Sequence, residues 1–270
     1  MAYRLDTAAR RNRAEREAGL RSALEGDESG VLGMFAAFVD RSAFSTNVAA
    51  DKIIALDEND EILDARRIRI HQAGGDRAAG LRAFAASAWF ERRDAFEARW
   101  QHGRRLVYGA VNGGNMGTEG FFGGFCIVVD DPRVAEPRAL AVFPSDTAQA
   151  YTDDQGQLDA AAASDAATRW EDRAALAVRE RADEAIARPE REWADVLCRP
   201  NHYLEVVIAP LALGSVDEVR LRTADLERLE ELELEDLAKA PLENSERMEL
   251  DALLCMRRWQ GGRGIAMRAY

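Results

Sequence analysis

Glu205 stands in the run Asn201-His-Tyr-Leu-Glu-Val-Val-Ile-Ala-Pro-Leu-Ala-Leu213, bracketed by Pro200 and Pro210. Tyr203, Val206, Val207 and Ile208 are strong β-formers, so the run predicts a strand. Alternation then puts Tyr203, Glu205 and Val207 on one face and Leu204, Val206 and Ile208 on the other. A carboxylate between apolar neighbours in so short a strand has two placements. It faces water, or it points into a cleft and does chemistry there, because an unpaired buried charge is too costly to keep otherwise.

The other reactive residue types do not cluster along the chain. Cys126, Cys198 and Cys255 are far apart, as are His71, His102 and His202. No CxxC spacing occurs, so neither a disulfide framework nor a zinc site is expected, and no metal ligands are nominated. No GxSxG elbow, HExxH helix or GxGxxG turn is present. The stretch Asn112-Gly-Gly-Asn-Met-Gly-Thr-Glu-Gly120 is rich in glycine and lets backbone approach a ligand closely, or serves simply as a mobile hairpin tip. No Gly-Lys-Ser/Thr follows it, so it is not a phosphate loop of the Walker type.

The elements that must position Glu205 belong to a chain of 270 residues, 47% hydrophobic and 31% charged. Those values describe a soluble globular protein with one large domain or one domain with appendages. A net charge of −12 argues against a general electrostatic grip on nucleic acid, with a local basic patch left open. No signal-peptide core and no run long enough to span a membrane occur, so no membrane association is expected. Location is expected to be cytoplasmic, or outside the cell by a route that needs no signal peptide.

Residues 1–30 read as an N-terminal helical segment, polar and rich in Arg and Glu. Val31–Val39 predicts a buried helix, followed by a hydroxyl-bearing polar segment, Asp40-Arg-Ser-Ala-Phe-Ser-Thr-Asn47. Lys52–Leu56 and Asp64–His71 predict strands, the second from Ile68 and Ile70 alternating with Arg67, Arg69 and His71. Ala78–Arg99 predicts one helix with a stripe of Leu81, Phe84, Ala85, Ala88 and Trp89. Arg104–Val111 and Phe121–Val129 predict two antiparallel strands joined by the glycine-rich connection. Further strands are expected over 139–143 and 215–221, with a surface excursion over 151–164 and a helix over 168–186. The tail, 223–270, predicts two charged amphipathic helices ending in a basic turn. The organisation is therefore an α+β domain over 31–222 with flanking helices and a C-terminal helical extension.

In order, Arg41-Ser-Ala-Phe-Ser-Thr-Asn47, Gly74-Gly-Asp-Arg77, Arg105-Leu-Val-Tyr-Gly-Ala-Val-Asn112, Phe122-Gly-Gly-Phe-Cys-Ile-Val128, Tyr203-Leu-Glu-Val-Val-Ile208 and Val216–Leu221 resemble the elements of a bacterial family with an ADP-ribosyltransferase-like domain. The pattern is Arg-Ser-x-Phe, Arg-x-x-Tyr-Gly-Ala, Phe-Gly and a late Tyr-x-Glu strand, and it covers roughly residues 40–222. The resemblance implies a split β-sheet core and an NAD-consuming enzyme. That enzyme would transfer ADP-ribose to a protein or nucleic-acid acceptor, or hydrolyse NAD, as a bacterial toxin or effector.

On this resemblance Glu205 is the catalytic carboxylate, stabilising the oxocarbenium character that develops as nicotinamide leaves ribose. NAD is the substrate. Arg41 or Arg105 would hold its pyrophosphate or ribose, Ser45 and Thr46 would brace the site, and Tyr108 and Phe122 would stack on a ring. Gly109 and Gly123 would complete the binding surface beside them, and Gly113, Gly114 and Gly117 would let a loop close over the ligand. Tyr203 stands where arginine-directed transferases carry a second Glu, which points away from an arginine acceptor. A reading of another class is a non-catalytic acidic binding protein, an immunity or adaptor protein, whose acidic C-terminal helices engage a basic partner.

Overall fold

A computed structural model describes residues 4–86, 88–119, 122–134, 140–153 and 155–270. Gly120, Phe121 and Ala139, together with the side chains of Ala88 and Trp89, lie outside what is described. The chain is α+β, with one mixed seven-stranded sheet. The strands are β1 (Ala43–Val48), β2 (Val107–Asn112), β3 (Phe125–Val129), β4 (Ala141–Phe143), β5 (Cys198–Arg199), β6 (His202–Tyr203), β7 (Glu205–Ile208), β8 (Glu218–Leu221) and β9 (Ala266–Ala269). The sheet order is β4-β7-β2-β1-β3-β8-β9, and β5 and β6 form a separate short hairpin. All pairs in the sheet are antiparallel except β8 with β9.

The central strand is the segment expected to be a polar loop. All six residues of β1 are buried. A strand with Ser45, Thr46 and Asn47 can be central only if each polar side chain finds a partner, and each does. Ser45 accepts from Asn112 Nδ2 at 2.9 Å, Thr46 donates to the Tyr108 carbonyl at 2.9 Å, and Asn47 donates to the Met116 carbonyl at 3.0 Å. Because β1 lies between β2 and β3, those two strands do not pair with each other as the hairpin reading required.

Two predicted strands are helices. Lys52–Leu56 falls in α4 (Ala50–Asn59), where Ala50, Ile53 and Leu56 recur at three-residue spacing and are buried. Asp64–His71 becomes α5 (Ala65–Gln72), because Asp64 caps it and accepts from the amides of Arg66 and Arg67 at 3.0 Å. The stretch 78–99 is divided into α6 (Arg77–Ala85) and α7 (Ala88–Ala98).

One face of the sheet packs on α3 (Val31–Asp40), on α10 (Arg173–Ala187) and on α11 (Trp193–Leu197), with Trp193 edge-on to Phe35 at 5.4 Å. The same apolar cluster takes in α4, α12 (Thr223–Leu237) and α13 (Asn244–Arg263) through Ile53, Leu229, Leu232, Leu250, Leu253 and Trp259. The C-terminal helices are thus joined to the main core. Of the expected basic last turn, Arg263 ends α13, while Arg268 lies in β9, added in parallel to β8. A second cluster gathers Leu5 of α1 (Leu5–Arg11), Phe96 of α7, Trp100, Phe143 and Val207. The N-terminal segment continues as α2 (Arg13–Glu25), which packs on α10. Ala163 and Ala166 of α9 (Ala160–Ala166) also enter the second cluster, so part of the expected surface excursion is buried.

The sheet forks. Strands β1 and β2 pair at Ala43 with Asn112, Phe44 with Val111 and Ser45 with Ala110. Beyond that row β1 continues with β3, up to Val48 with Phe125, while β2 continues with β7, up to Val107 with Ile208. Gly109 permits the fork. A β-carbon there would lie 2.2 Å from the Ser45 carbonyl oxygen and 2.5 Å from the Phe44 ring, so only glycine fits.

Candidate functional site

A cavity of about 430 Å³ occupies the fork. Thr46, Asn47 and Val48 line it from β1, Val107, Tyr108 and Gly109 from β2, and Glu205 from β7. Helices α4, α5 and α7 wall it with Lys52, Leu56, Ile68, Arg69, Phe90 and Arg93. Phe122 and Tyr203 also contribute. The register explains why Glu205 is there. Ser45, Ala110 and Glu205 form one row across β1, β2 and β7, the last row before the strands part. Glu205 and Tyr108 therefore share a face at the base of the fork.

Glu205 is 2% exposed, which removes its water-facing placement. Its carboxylate accepts from the Thr147 amide at 2.7 Å and faces Arg93 Nη2 at 3.3 Å. Arg93, also buried, reaches Asp146 at 3.4 Å and donates to Thr147 Oγ1 at 2.8 Å. Its guanidinium lies 3.7 Å from the centre of the Tyr108 ring, a cation–π contact that closes the cluster. Burial pushes the Glu205 carboxyl up to about 7, opposed by Arg93 and the Thr147 amide and reinforced by Asp146. Arg93 stays charged, because Glu205 and its other acidic neighbours outweigh its burial.

A second buried pair supports Tyr108. Its hydroxyl donates to Glu97 at 3.0 Å, and Glu97 is in turn paired with Arg66 of α5, which also meets Asp94. Burial pushes the Tyr108 hydroxyl well above its ordinary range. It also raises the Glu97 carboxyl, against the pull of Arg66. Tyr203 donates to Asp146 at 3.2 Å, so both aromatic hydroxyls are held by carboxylates.

Of the residues nominated from the sequence, Glu205, Thr46, Tyr108, Gly109 and Phe122 meet at the cavity. Gly123 adjoins Phe122 and has φ of 129°, and a β-carbon there would lie 2.1 Å from the Val48 backbone. Its role is the close packing of this turn on β1. Ser45 is bound to Asn112 on a polar knot away from the cavity lining. Arg41 is exposed beyond the end of α3, and Arg105 is exposed and paired with Glu61 at 3.4 Å, so neither arginine lines the cavity. The glycine-rich loop does not close over it either. Asn112 and Asn115 accept from the amides of Gly114 and Gly117 at 2.8 Å and fold the loop back on the sheet. Among the described residues of that loop, only Thr118 lines the cavity.

The sequence reading missed Arg93, Asp146 and Thr147. Arg93 carried a usable signal, since it shares a helical stripe with Phe96 and Trp100, three and seven residues on. A lone Arg on an apolar stripe requires a buried acid, and Glu205 is one. Among the described residues, no group of His, Cys, Asp and Glu is placed to hold a metal, and no helix is long and apolar enough to cross a membrane. No protein-family model matches the chain, and no curated protein does.

Proposed function

We propose that the chain is an NAD-consuming enzyme of the ADP-ribosyltransferase-like kind, built on a split-sheet core. The observation that carries this reading is the Glu205 carboxylate, buried at the base of a forked sheet and lining the cavity within the fork. The C–N bond between nicotinamide and ribose breaks, and nicotinamide leaves with the bonding pair. Ionised Glu205 stabilises the positive charge that develops on the ribose carbon and oxygen. Water or an acceptor group then adds to that carbon and gives up a proton. Arg93 and the Thr147 amide fix the carboxylate in advance, so it does not reorganise as charge develops.

The aromatic lining suits the rings of the dinucleotide. Tyr108, Phe90 and Phe122 offer surfaces for nicotinamide or adenine. Arg69, in place of Arg41 or Arg105, supplies positive charge for the pyrophosphate. Tyr203, anchored to Asp146, occupies the position of a second carboxylate, so the acceptor is a group other than arginine on a protein or nucleic acid, or it is water. A toxin or effector role, acting in the cytoplasm or after delivery by a signal-independent route, accords with this chemistry. The test is binding and turnover together. NAD at millimolar concentration raises the melting temperature, and nicotinamide accumulates in a chromatographic assay. Absence of both effects overturns the proposal.

A further inference from the structure

Lysine is scarce in this chain, present only as Lys52 and Lys239 among 36 basic residues. Lys52 lies on α4 and lines the cavity beside Val48, Leu56, Ile68 and Ile127. Among the described residues its side chain forms no hydrogen bond or ion pair. Asp51, its neighbour in sequence, is outside the lining and accepts from Gln72 at 2.5 Å. Arg69 shares the cavity, donates to Gln72 at 2.9 Å and lies 5.3 Å from the Phe90 ring centre, with no acid on it. Two cations thus line one largely apolar space without a carboxylate partner, while the two acids that also line it are engaged elsewhere, Asp64 on the amides of Arg66 and Arg67 and Glu205 on Arg93 and Thr147, so the free positive charge selects an anion. An amine on an apolar wall next to another cation is also the environment that makes lysine nucleophilic.

We propose that Lys52 captures the carbonyl of an aldehyde or ketone that bears an anionic group, with Arg69 holding the anion. The unprotonated amine adds to the carbonyl carbon, water is expelled, and a C=N bond joins the ligand to Nζ. Burial favours the reactive form by lowering the pKa of Lys52, with Arg69 adding to it and Asp51 opposing it. This inference shares Arg69 and the cavity with the NAD reading, but it requires neither a role for Glu205 nor turnover of NAD, and its adduct is read without NAD present.

The whole chain is incubated with pyridoxal 5′-phosphate and cyanoborohydride, which reduces an imine to a stable secondary amine, and the adduct is located by peptide mass spectrometry. Exposed Lys239 is the internal reference. The expected result is a ~tenfold excess of adduct on Lys52 at neutral pH, from its larger unprotonated fraction. Pyridoxal without the phosphate gives less, and glyoxylate in a parallel arm tells carboxylate from phosphate as the preferred anion. Lys52→Arg keeps the charge and the fold, checked by its unfolding curve, and loses the adduct. Labelling that follows exposure, with Lys239 ahead, overturns the proposal. So does stabilisation by inorganic phosphate with no adduct on Lys52, which makes the site an anion site alone. Equal labelling of Lys52 by pyridoxal and its phosphate removes Arg69 from the proposal.

Discussion

Glu205→Gln separates a catalytic carboxylate from a structural one, because the two predict opposite pH dependence of stability. Burial raises the Glu205 carboxyl from 4.5 to about 7. A rise of that size corresponds to about 3 kcal/mol of unfavourable free energy when the folded protein must hold the group ionised. The sign follows from proton binding. Between the unfolded and folded values the folded state carries the extra proton. The contribution of this group is therefore fully present below 4.5 and is lost as pH rises through about 7. Gln at 205 does not titrate, so the difference between the two proteins isolates this one group from every other carboxylate.

The amide has its own cost. Thr147 N–H and Arg93 both donate to the carboxylate, whereas Gln accepts at one end only and turns its NH2 toward one of them. That mismatch costs about 1–2 kcal/mol. Protonated Glu205 has the same mismatch, its O–H turned toward one of these donors, so at acid pH the variant should match wild type within about 1 kcal/mol. Between about pH 5 and pH 8 the wild type loses about 2–3 kcal/mol relative to it, and the variant becomes the more stable of the two. Urea unfolding at both pH values, followed by tryptophan fluorescence, reads this directly. Nicotinamide release by the variant should fall by about 10²–10³-fold. A variant that is several kcal/mol less stable at both pH values and still releases nicotinamide would refute the reasoning, leaving Glu205 as a strut for Arg93.

With the ionised carboxylate as the proposed active form, wild-type nicotinamide release should rise with pH across the neutral range, with a midpoint near 7 in kcat/KM; a flat profile over that range contradicts the assignment. Gly109→Ala puts a β-carbon against the Ser45 carbonyl and the Phe44 ring, and should cost about 1–3 kcal/mol in a denaturant midpoint as the fork is forced apart. Tyr108→Phe keeps the ring and its contact with Arg93 but removes the bond to Glu97. It should destabilise by about 1–2 kcal/mol, with KM for NAD unchanged. Arg41→Ala and Arg105→Ala, both outside the cavity, should leave nicotinamide release within about twofold of wild type, as is usual for surface changes.

The site carboxylate was legible because strand alternation needs only local sequence. Period two around Glu205 assigned its face correctly, and burial of both faces decided the rest. The helices α3, α12 and α13 were legible for the same reason, since their apolar spacing is local. What failed was every assignment that depended on a distant partner. Ser45, Thr46 and Asn47 look like loop residues until Asn112, the Tyr108 carbonyl and the Met116 carbonyl satisfy them. Ile53-Ile54 and the Ile68–Ile70 alternation carry β-propensity, yet burial of Ile53 and Leu56 made the first a helix and the Asp64 cap opened a helix at the second. Arg105 and Arg41 were chosen by motif order, whereas the arginine that faces Glu205 comes from α7, over a hundred residues away, and no spacing rule connects them.

The fork and the carboxylate are one device. A sheet that stayed paired along the whole of β1 and β2 would fill the space beside Glu205 with backbone and side chains. Loss of pairing after the Ser45–Ala110 row leaves Thr46 Oγ1 to span the gap to the Tyr108 carbonyl, and the remaining width becomes cavity. Glu205 stands in that last paired row, so rigid ladders hold its backbone on both sides, to Ala110 and to Phe143. Arg93 and Thr147 then fix its side chain. A carboxylate clamped at backbone and head, with its pKa near neutrality and cavity on one side, is poorly explained as a stabilising ion pair, because buried pairs of this kind rarely repay their desolvation. It is well explained as a charge held ready for a cation that exists only in the transition state.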